Sequence, residues 1–187
     1  AYNGDMLLTS ITDANGHVFV TNHYDGQKRV DSQKDAAGNT ATFAYQDSPR
    51  ITTVVDNEGN ASIDEYDDKF RLVKETDALG RSMVYEYDDD NNRTLVRDRE
   101  NHVTNTEYDE RGNVIRIIDP LNQETISNYN ARNLVTYHLD PSGAETRYLY
   151  DGLDYNLIKV TDAENGVTLM ERFGNGLLRT LTNANNF

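Results

Sequence analysis

One stretch of the sequence decides the fold: residues 66–87 read YDDKFRLVKETDALGRSMVYEY. Phe70–Thr76 and Ser82–Tyr87 are strand-length runs containing β-branched and aromatic residues. Between them, Asp77-Ala78-Leu79-Gly80 is typical of a turn, because Asp can bond its own downstream backbone and Gly tolerates positive φ. A second turn of Asp and Asn residues begins at Asp88. The stretch therefore predicts two short strands and two turns.

This pattern recurs along the chain with a period of 21 residues. The repeat tyrosines, most of them followed by Asp, are Tyr24, Tyr45, Tyr66, Tyr87, Tyr108, Tyr129 and Tyr150. Tyr2 lies 22 residues before the first of these, and a divergent last unit ends at Phe173. We predict a single array over residues 1–187 with about eight repeats. Because it begins inside a repeat and without Met, we expect a piece of a longer protein, truncated at both ends.

A second marker, Asp-x-x-Gly or Asp-x-x-Asn, lies midway between successive tyrosines. Its repeated residues include Asp35, Asp56, Asp77, Asp98, Asp119 and Asp140, with Gly38, Gly59, Gly80 and Gly143. One hypothesis is that each carboxylate closes its own turn by accepting backbone N–H bonds. The other is that rows of carboxylates bind a cation such as Ca²⁺, with Asp88–Asn92 as the best local candidate. Turn chemistry explains the residues, so we favour the first.

The composition argues against a large dry core. Only 36% of the residues are hydrophobic and there is no Trp, whereas 12 Tyr residues and only 3 Pro favour strands. In Val103–Glu107, neither side of the predicted strand is apolar. We therefore predict an all-β fold of tandem hairpins in a curved or spiralling antiparallel sheet that lines a hydrated space. A β-propeller built from two-repeat blades and a β-solenoid with one repeat per coil are the alternatives.

The charge and the residue inventory exclude several classes of function. A formal net charge of −14 disfavours nucleic acid as a partner, and the absence of Cys excludes disulfides and thiolate metal sites. No apolar run approaches the roughly 18 residues of a membrane-spanning helix. No pair of His residues has ligand spacing, and neither a nucleophile elbow nor a phosphate loop is present. We predict no catalytic, cofactor or metal site, and a protein that is not an enzyme.

The repeat is similar to the YD repeat of Rhs (rearrangement hot spot) proteins, which include insecticidal toxin-complex components and the teneurins. The best local matches are Tyr108–Val114, which reads YDERGNV, and Asp77–Arg81, which reads DALGR. The resemblance implies a strip of antiparallel sheet that spirals into a hollow shell, which encloses a C-terminal toxin in bacterial members. Asp119-Pro120 and Asp140-Pro141 are midpoint turns and do not indicate a cleavage site.

Two functions follow as hypotheses. The first is a shell-wall or scaffold segment of a large secreted or cell-surface bacterial protein, whose partners are the rest of the parent chain and an enclosed toxin domain. The second is an adhesion module that binds carbohydrate or a cell surface, with rings such as Tyr85 and Tyr148 stacking on sugars. Unpaired sheet edges also predict an edge-to-edge homodimer.

Overall fold

The computed structural model describes residues 1–152 and 156–183, and all of its extended secondary structure is β. The chain forms two compact units. The first comprises Ala1–Tyr85 with the turn Asp98–Asn101, and the second comprises Glu86–Arg97 with His102–Phe187. No helix in the described residues is both long enough and apolar enough to cross a bilayer.

Strands β1 to β8 belong to the first unit, except that the last two residues of β8 fall in the second. Each strand pairs antiparallel with the next along the chain. Their bounds are β1 Ser10–Thr12, β2 Val18–Tyr24, β3 Val30–Asp35, β4 Thr40–Asp47, β5 Arg50–Val55, β6 Ala61–Tyr66, β7 Leu72–Thr76 and β8 Ser82–Tyr87.

Strands β9 to β17 form the second unit and follow the same rule of antiparallel neighbours. Their bounds are β9 Arg93–Arg97, β10 Val103–Tyr108, β11 Val114–Ile118, β12 Glu124–Tyr129, β13 Val135–Leu139, β14 Glu145–Tyr150, β15 Leu157–Thr161, β16 Val167–Arg172 and β17 Leu178–Asn183. The prediction of an all-β fold made of antiparallel hairpins is confirmed. Within each unit the strands form a continuous ladder, unlike the parallel coils of a solenoid or separate four-stranded blades.

Most of the hairpins that follow a repeat tyrosine have a bulge beside that tyrosine. Glu107 pairs with Arg116, whereas the next residue, Tyr108, pairs with Val114, so Ile115 has no partner across the strand pair. The same shift occurs at Tyr24, Tyr66, Tyr129 and Tyr150. The midpoint hairpin of β7 and β8 also has a five-residue loop, but its ladder has no register shift.

Among the hairpins of the first unit that follow a repeat tyrosine, the hairpin of β4 and β5 is the exception. Its ladder runs without a register shift from Thr42–Val55 to Asp47–Arg50, and a two-residue turn, Ser48-Pro49, closes it with a cis peptide bond. As a result Tyr45 lies two residues before the end of its strand, whereas Tyr66 and Tyr129 are the last residues of theirs.

Neither unit contains a dry core. Among the described residues, only Tyr85 is buried, with 8% of its surface exposed. Half-burial is the rule for the other strand residues, because each side chain is covered by its neighbours in the sheet and not by a second layer. Ladder hydrogen bonds, cross-strand pairs and loop hydrogen bonds therefore hold the fold together.

Candidate functional site: the Tyr face and its turns

In the second unit, one side of the sheet carries the repeat tyrosines, and we call it the Tyr face. Cross-strand partners lie on the same side of a sheet, as do alternate residues along a strand, so the ladder defines the membership of this side. From β10 to β15 its members include no Asp, Glu, Lys or Arg. They include Thr104, Thr106, Tyr108, Ile117, Thr125, Ser127, Tyr129, His138, Thr146, Tyr148, Tyr150 and Val160.

The opposite side of the same strands carries the charges. Arg116 lies there between two carboxylates, with Nη1 2.9 Å from Glu107 Oε1 and Nη2 2.5 Å from Glu124 Oε1. Arg147 pairs with Glu145 on the same side, at 2.9 Å. Along β10, β12 and β14 the Tyr face is half-buried, whereas residues such as Asn128 on the opposite side are exposed. The sheet of the second unit therefore has one hydroxyl-rich, uncharged side and one ionic side.

The first unit has an equivalent Tyr face that also carries charged residues, including two acids on neighbouring strands. Asp64 of β6 and Glu75 of β7 are directly opposite each other on this side. Burial first, and the charge of Glu75 second, raise the pKa of Asp64 above its usual value. From the turn Asp98–Asn101, Arg99 reaches Glu75 with an Nη2–Oε1 distance of 2.6 Å. One member of the acid pair therefore has a cationic partner, while Asp64 experiences the repulsion.

The tyrosine hydroxyls bond to backbone carbonyls of the preceding strand. Tyr45, Tyr129 and Tyr150 donate to the carbonyls of Val30, Val114 and Val135 at 2.7, 2.9 and 2.9 Å. Tyr24 and Tyr108 make the corresponding bonds to Leu8 and Arg93.

The acceptors Val30, Arg93, Val114 and Val135 are the first residues of their strands. The donating tyrosine belongs to the next strand along the chain. In the ladder between those two strands, none of these acceptor residues has a cross-strand partner. The hydroxyl therefore satisfies a carbonyl that the ladder does not reach, which gives a physical reason for Tyr rather than Phe.

Tyr66 differs from these tyrosines because of the unbulged hairpin before it. Ile51, fifteen residues earlier, is already paired in the ladder with Glu65. The hydroxyl of Tyr66 instead lies 3.5 Å from Asp64 Oδ2. Burial, followed by the charge of Asp64, raises the pKa of Tyr66. The Ser48-Pro49 turn therefore changes the hydrogen-bond partner of the tyrosine in the next repeat.

Asp begins both kinds of turn and acts in the same way in each. At Asp109 the backbone N–H donates to the carbonyl of Asn113 at 2.9 Å, and Gly112 N–H donates back to the Asp109 carbonyl at 2.9 Å. One carboxylate oxygen accepts the N–H groups of Arg111 and Asn113. The midpoint turn of Asp56 has the same bonds, with Gly59 at the fourth position. The fourth residue has positive φ in both, 80° for Gly112 and 86° for Gly59.

The remaining predicted turn residues occupy these positions. Asp35, Asp77, Asp98, Asp119 and Asp140 are first residues of midpoint turns, and Gly38, Gly80 and Gly143 are fourth residues with positive φ. Hydrogen bonds from Asn113 lower the pKa of Asp109 well below its usual range, and those from Asn60 lower the pKa of Asp56. The carboxylates are thus used by their own turns. The described residues contain no group of three or more His, Cys, Asp or Glu side chains placed to hold a metal ion.

A groove of about 530 Å³ opens beside the short Ser48-Pro49 turn. The guanidinium of Arg29 stacks on Tyr45 and that of Arg50 stacks on Phe70, each 4.5 Å from the ring centroid. Arg29 also bonds Asp47, with Nη1 3.2 Å from Oδ1. The other lining residues are Gln46, Ile51, Thr52 and Tyr66.

The periodic pattern identified the repeat positions but gave no sign of this groove. A signal was nevertheless present, because Tyr45 is followed by Gln-Asp-Ser-Pro instead of an Asp-initiated loop. The separation of charge between the two sides of the second unit was also missed, since it appears only when the strand register is known.

Comparisons with known proteins support the fold. No family model matches the chain, and no curated protein matches it. The crystal structure of TcdB2-TccC3 aligns with 94% of this chain at a TM-score of 0.75 and 14% identity. The Photorhabdus luminescens Tc holotoxin pore aligns with 89% of the chain at a TM-score of 0.56 and 16% identity. The aligned region makes up 11% and 10% of those chains. The predicted resemblance to YD-repeat toxin-complex components is therefore confirmed at the level of the fold.

Proposed function

We propose that this chain is a structural wall segment of a larger secreted or cell-surface bacterial protein, and that its Tyr face lines a space in which another polypeptide is enclosed. The observation that carries the proposal is the alignment of 94% of the chain with TcdB2-TccC3 at a TM-score of 0.75. The enclosed partner would be a toxin domain of the parent assembly. The chain itself has no catalytic role in this proposal.

The chemistry of the two sides supports this orientation. A wall that is wet on its outside benefits from ion pairs such as Arg116–Glu107, which keep the outer surface soluble. The Tyr face of the second unit presents hydroxyls and small apolar groups, with no fixed charge between β10 and β15. Such a surface contacts a polypeptide without binding it tightly through ion pairs.

Cysteine labelling tests this orientation, because the chain contains no Cys. Thr125→Cys places a thiol on the Tyr face of β12, and Asn128→Cys places one on the opposite side of the same strand. In the assembled parent protein, we expect a bulky maleimide to label Asn128→Cys at least tenfold faster than Thr125→Cys. Both thiols should react in the isolated chain, which provides the reference rates. Equal labelling of the two thiols in the assembly would contradict the proposal.

A second function, carbohydrate binding, is supported by the groove at Ser48-Pro49. Its aromatic rings and planar polar groups are the kinds of side chain that contact sugar rings and hydroxyls. Tyr85 is too buried for this role and Tyr148 is half-buried. Glycan-array binding that disappears when Gln46–Arg50 is replaced by the five-residue loop Asn130–Leu134 would support it. Unchanged binding by that variant would exclude the groove.

A further inference from the structure

Four Asn-Gly pairs occur in the sequence, and the same reaction is open to each: Asn3-Gly4, Asn15-Gly16, Asn165-Gly166 and Asn175-Gly176. The backbone nitrogen of Gly attacks the side-chain carbonyl carbon of Asn, the amide nitrogen leaves with the displaced proton as ammonia, and a succinimide ring forms. Water then opens the ring to leave Asp or isoaspartate. Glycine favours the attack because it has no Cβ beside its nitrogen. The Asn side chain must be free to turn and the Gly N–H free of strong hydrogen bonds, so the fold decides which pairs react.

At Asn3 the fold holds the side chain. Asn3 occupies the first position of its loop, and its Oδ1 accepts the N–H groups of Asp5 and Leu7, each at 3.0 Å. Both bonds direct the side-chain amide into the loop, and both must break before its carbonyl carbon can turn towards the nitrogen of Gly4. This pair is therefore protected at the carbon that is attacked.

At Asn165 the fold holds the attacking nitrogen. Gly166 N–H donates to Asp162 Oδ1 at 2.7 Å, which is a short bond to a charged acceptor. Gly166 is also half-buried, so water competes only weakly for this N–H. Because the nitrogen must give up this bond before it attacks, the second pair of this group is protected at its nucleophile.

At Asn175 both reacting groups are held. Gly176 N–H donates to the carbonyl of Phe173 at 2.8 Å, and Asn175 Oδ1 accepts the N–H of Leu177 at 3.2 Å. Gly176 is half-buried, so its N–H is also shielded from water. Two hydrogen bonds must therefore break before this pair can react.

At Asn15 the protection is weakest. Its side chain makes no hydrogen bond to any described residue, and Gly16 N–H makes a turn bond to the Asp13 carbonyl at 3.1 Å. The loop residues from Asp13 to His17 are all exposed, so water competes for that N–H and the bond contributes little net stability. This pair therefore comes nearest to both requirements of the reaction.

We infer that Asn15-Gly16 is a site of spontaneous covalent modification in the folded protein, where Asn15 becomes Asp or isoaspartate with loss of ammonia. The other three pairs stay unmodified on the same timescale. Isoaspartate carries the chain through its side-chain carbon, which lengthens the backbone of the loop between β1 and β2. The N–H groups of Asn15 and Gly16 then leave the Asp13 oxygens that they bond in the unmodified loop. The modification therefore loosens the first hairpin of the first unit.

Peptide mass spectrometry of the whole chain, aged at neutral pH, measures the reaction at each pair. Asn15 should react at least about fivefold faster than Asn3, Asn165 or Asn175, because each of those pairs must break one stronger bond or one bond more. The same chain unfolded in urea is the reference, and there the four pairs should react at similar rates. Folding should therefore slow the reaction least at Asn15.

Two variants of Asp162 test whether the hydrogen bond to Gly166 protects its pair. Asp162→Ala removes the acceptor, so Asn165 should react at least about fivefold faster than in the original sequence. Asp162→Asn keeps an acceptor oxygen at this position, so Asn165 should stay slow. Circular dichroism spectra of both variants check that the strand content is kept.

Equal rates at the four pairs of the folded chain, or a faster rate at Asn3 than at Asn15, would overturn the inference. It would also be overturned if Asn15 stayed unmodified in the folded chain while the urea-unfolded chain reacted there. An Asn165 that stays slow in folded Asp162→Ala would count against it in the same way, since hydrogen bonds would not then decide which pair reacts. None of these outcomes depends on whether the chain lines an enclosed space.

Discussion

At the scale of single residues, the repeat tyrosine has two separable roles. Its ring covers the Tyr face, and its hydroxyl satisfies a carbonyl that the ladder leaves unpaired, as Tyr150 does for Val135 at 2.9 Å. Tyr148, two residues earlier on the same side, makes no hydrogen bond through its hydroxyl to any described residue, although its ring is similarly half-buried. The two residues therefore separate the contribution of the hydroxyl from that of the ring.

We predict that Tyr150→Phe lowers the free energy of unfolding by about 1 kcal/mol, because a half-buried carbonyl loses its donor. Tyr148→Phe should change it by less than about 0.5 kcal/mol, since no bond of this kind is broken. Urea unfolding followed by circular dichroism measures both values. Equal losses in the two variants would show that the hydroxyl bond is not what selects tyrosine at the repeat position.

Asp64 is a charge that the fold tolerates at a cost. Its pKa is raised by burial and by Glu75, so the folded state favours the protonated form more than the unfolded state does. Asp64→Asn should therefore increase the melting temperature at pH 7. The gain should shrink as the pH falls towards 3.8, the ordinary pKa of the group, because the native carboxyl then becomes neutral as well.

Glu65→Gln, at the next position on the opposite side, is the control for Asp64→Asn. Glu65 pairs with Lys74 through an Oε1–Nζ distance of 2.7 Å, so this variant should give no gain at pH 7. The comparison needs only thermal melts at several pH values. If Asp64→Asn lowers the melting temperature at pH 7, the carboxylate of Asp64 stabilises the folded state and the prediction is wrong.

At the scale of elements, the five-residue loops keep the same backbone conformation with different residues at the same position. The fourth residue of the five-residue loops has positive φ, whether it is Gly59 at 86°, Asn122 at 59° or Phe70 at 61°. A side chain at this φ is strained by its own backbone. At Gly59 an added Cβ would meet no atom within 4 Å, so this site isolates backbone strain from crowding.

We predict that Gly59→Ala costs about 1–2 kcal/mol in the free energy of unfolding, through backbone strain alone. Gly26→Ala is the control, because Gly26 is the second residue of such a loop, has no positive φ, and also has open space around the Cβ position. It should be neutral or slightly stabilising. Gly59→Asn should cost less than Gly59→Ala, because Asn tolerates this region better.

The sequence predicted the hairpins well because turn chemistry is local. Asp35 and Gly38 belong to one loop, and their roles depend on backbone atoms a few residues away. The same local reasoning did not assign Asp25 or Asp109, which follow the repeat tyrosines, although their carboxylates make the same bonds. The repeated Tyr-Asp pair marks the period of the sequence, but it does not reveal that the turn after the tyrosine and the midpoint turn have the same hydrogen bonds.

The features that local reasoning could not reach depend on register. A one-residue shift moves a side chain to the other side of a sheet, so the presence or absence of a bulge beside a repeat tyrosine decides which residues share a face. Without the pairing of Ser127 with His138 or of Asn128 with Tyr137, β12 appears polar on both sides. The unbulged hairpin at Ser48-Pro49 shows the same dependence. It brings Ile51 into the ladder opposite Glu65, so the residue fifteen positions before Tyr66 is already paired.

At the scale of the whole molecule, a fold without a dry core must depend on its hydrogen-bonded turns more than a globular domain does. Several of the carboxylates that close these turns have a pKa lowered chiefly by hydrogen bonds from their own loop. This group includes Asp13, Asp25, Asp35, Asp56, Asp67, Asp77, Asp109 and Asp140. Because they occur in both units, acid should affect turns throughout the chain.

The sign of the pH dependence follows from the direction of these shifts. A group whose pKa is lower when folded contributes stability above its unfolded pKa and loses it as the pH falls through the folded value. The chain should therefore keep its stability from neutral pH down to about pH 4 and lose it steeply below, where the turn carboxylates protonate. Circular dichroism melts between pH 7 and pH 2 measure this.

Two variants test whether the turn carboxylates cause the decline. Asp56→Asn keeps the turn acceptor without titrating, so it should make the decline slightly less steep. Asp68→Asn should leave the decline unchanged, because exposed Asp68 makes no turn bond in the described residues. A decline that begins near neutral pH would show that other groups control the acid stability.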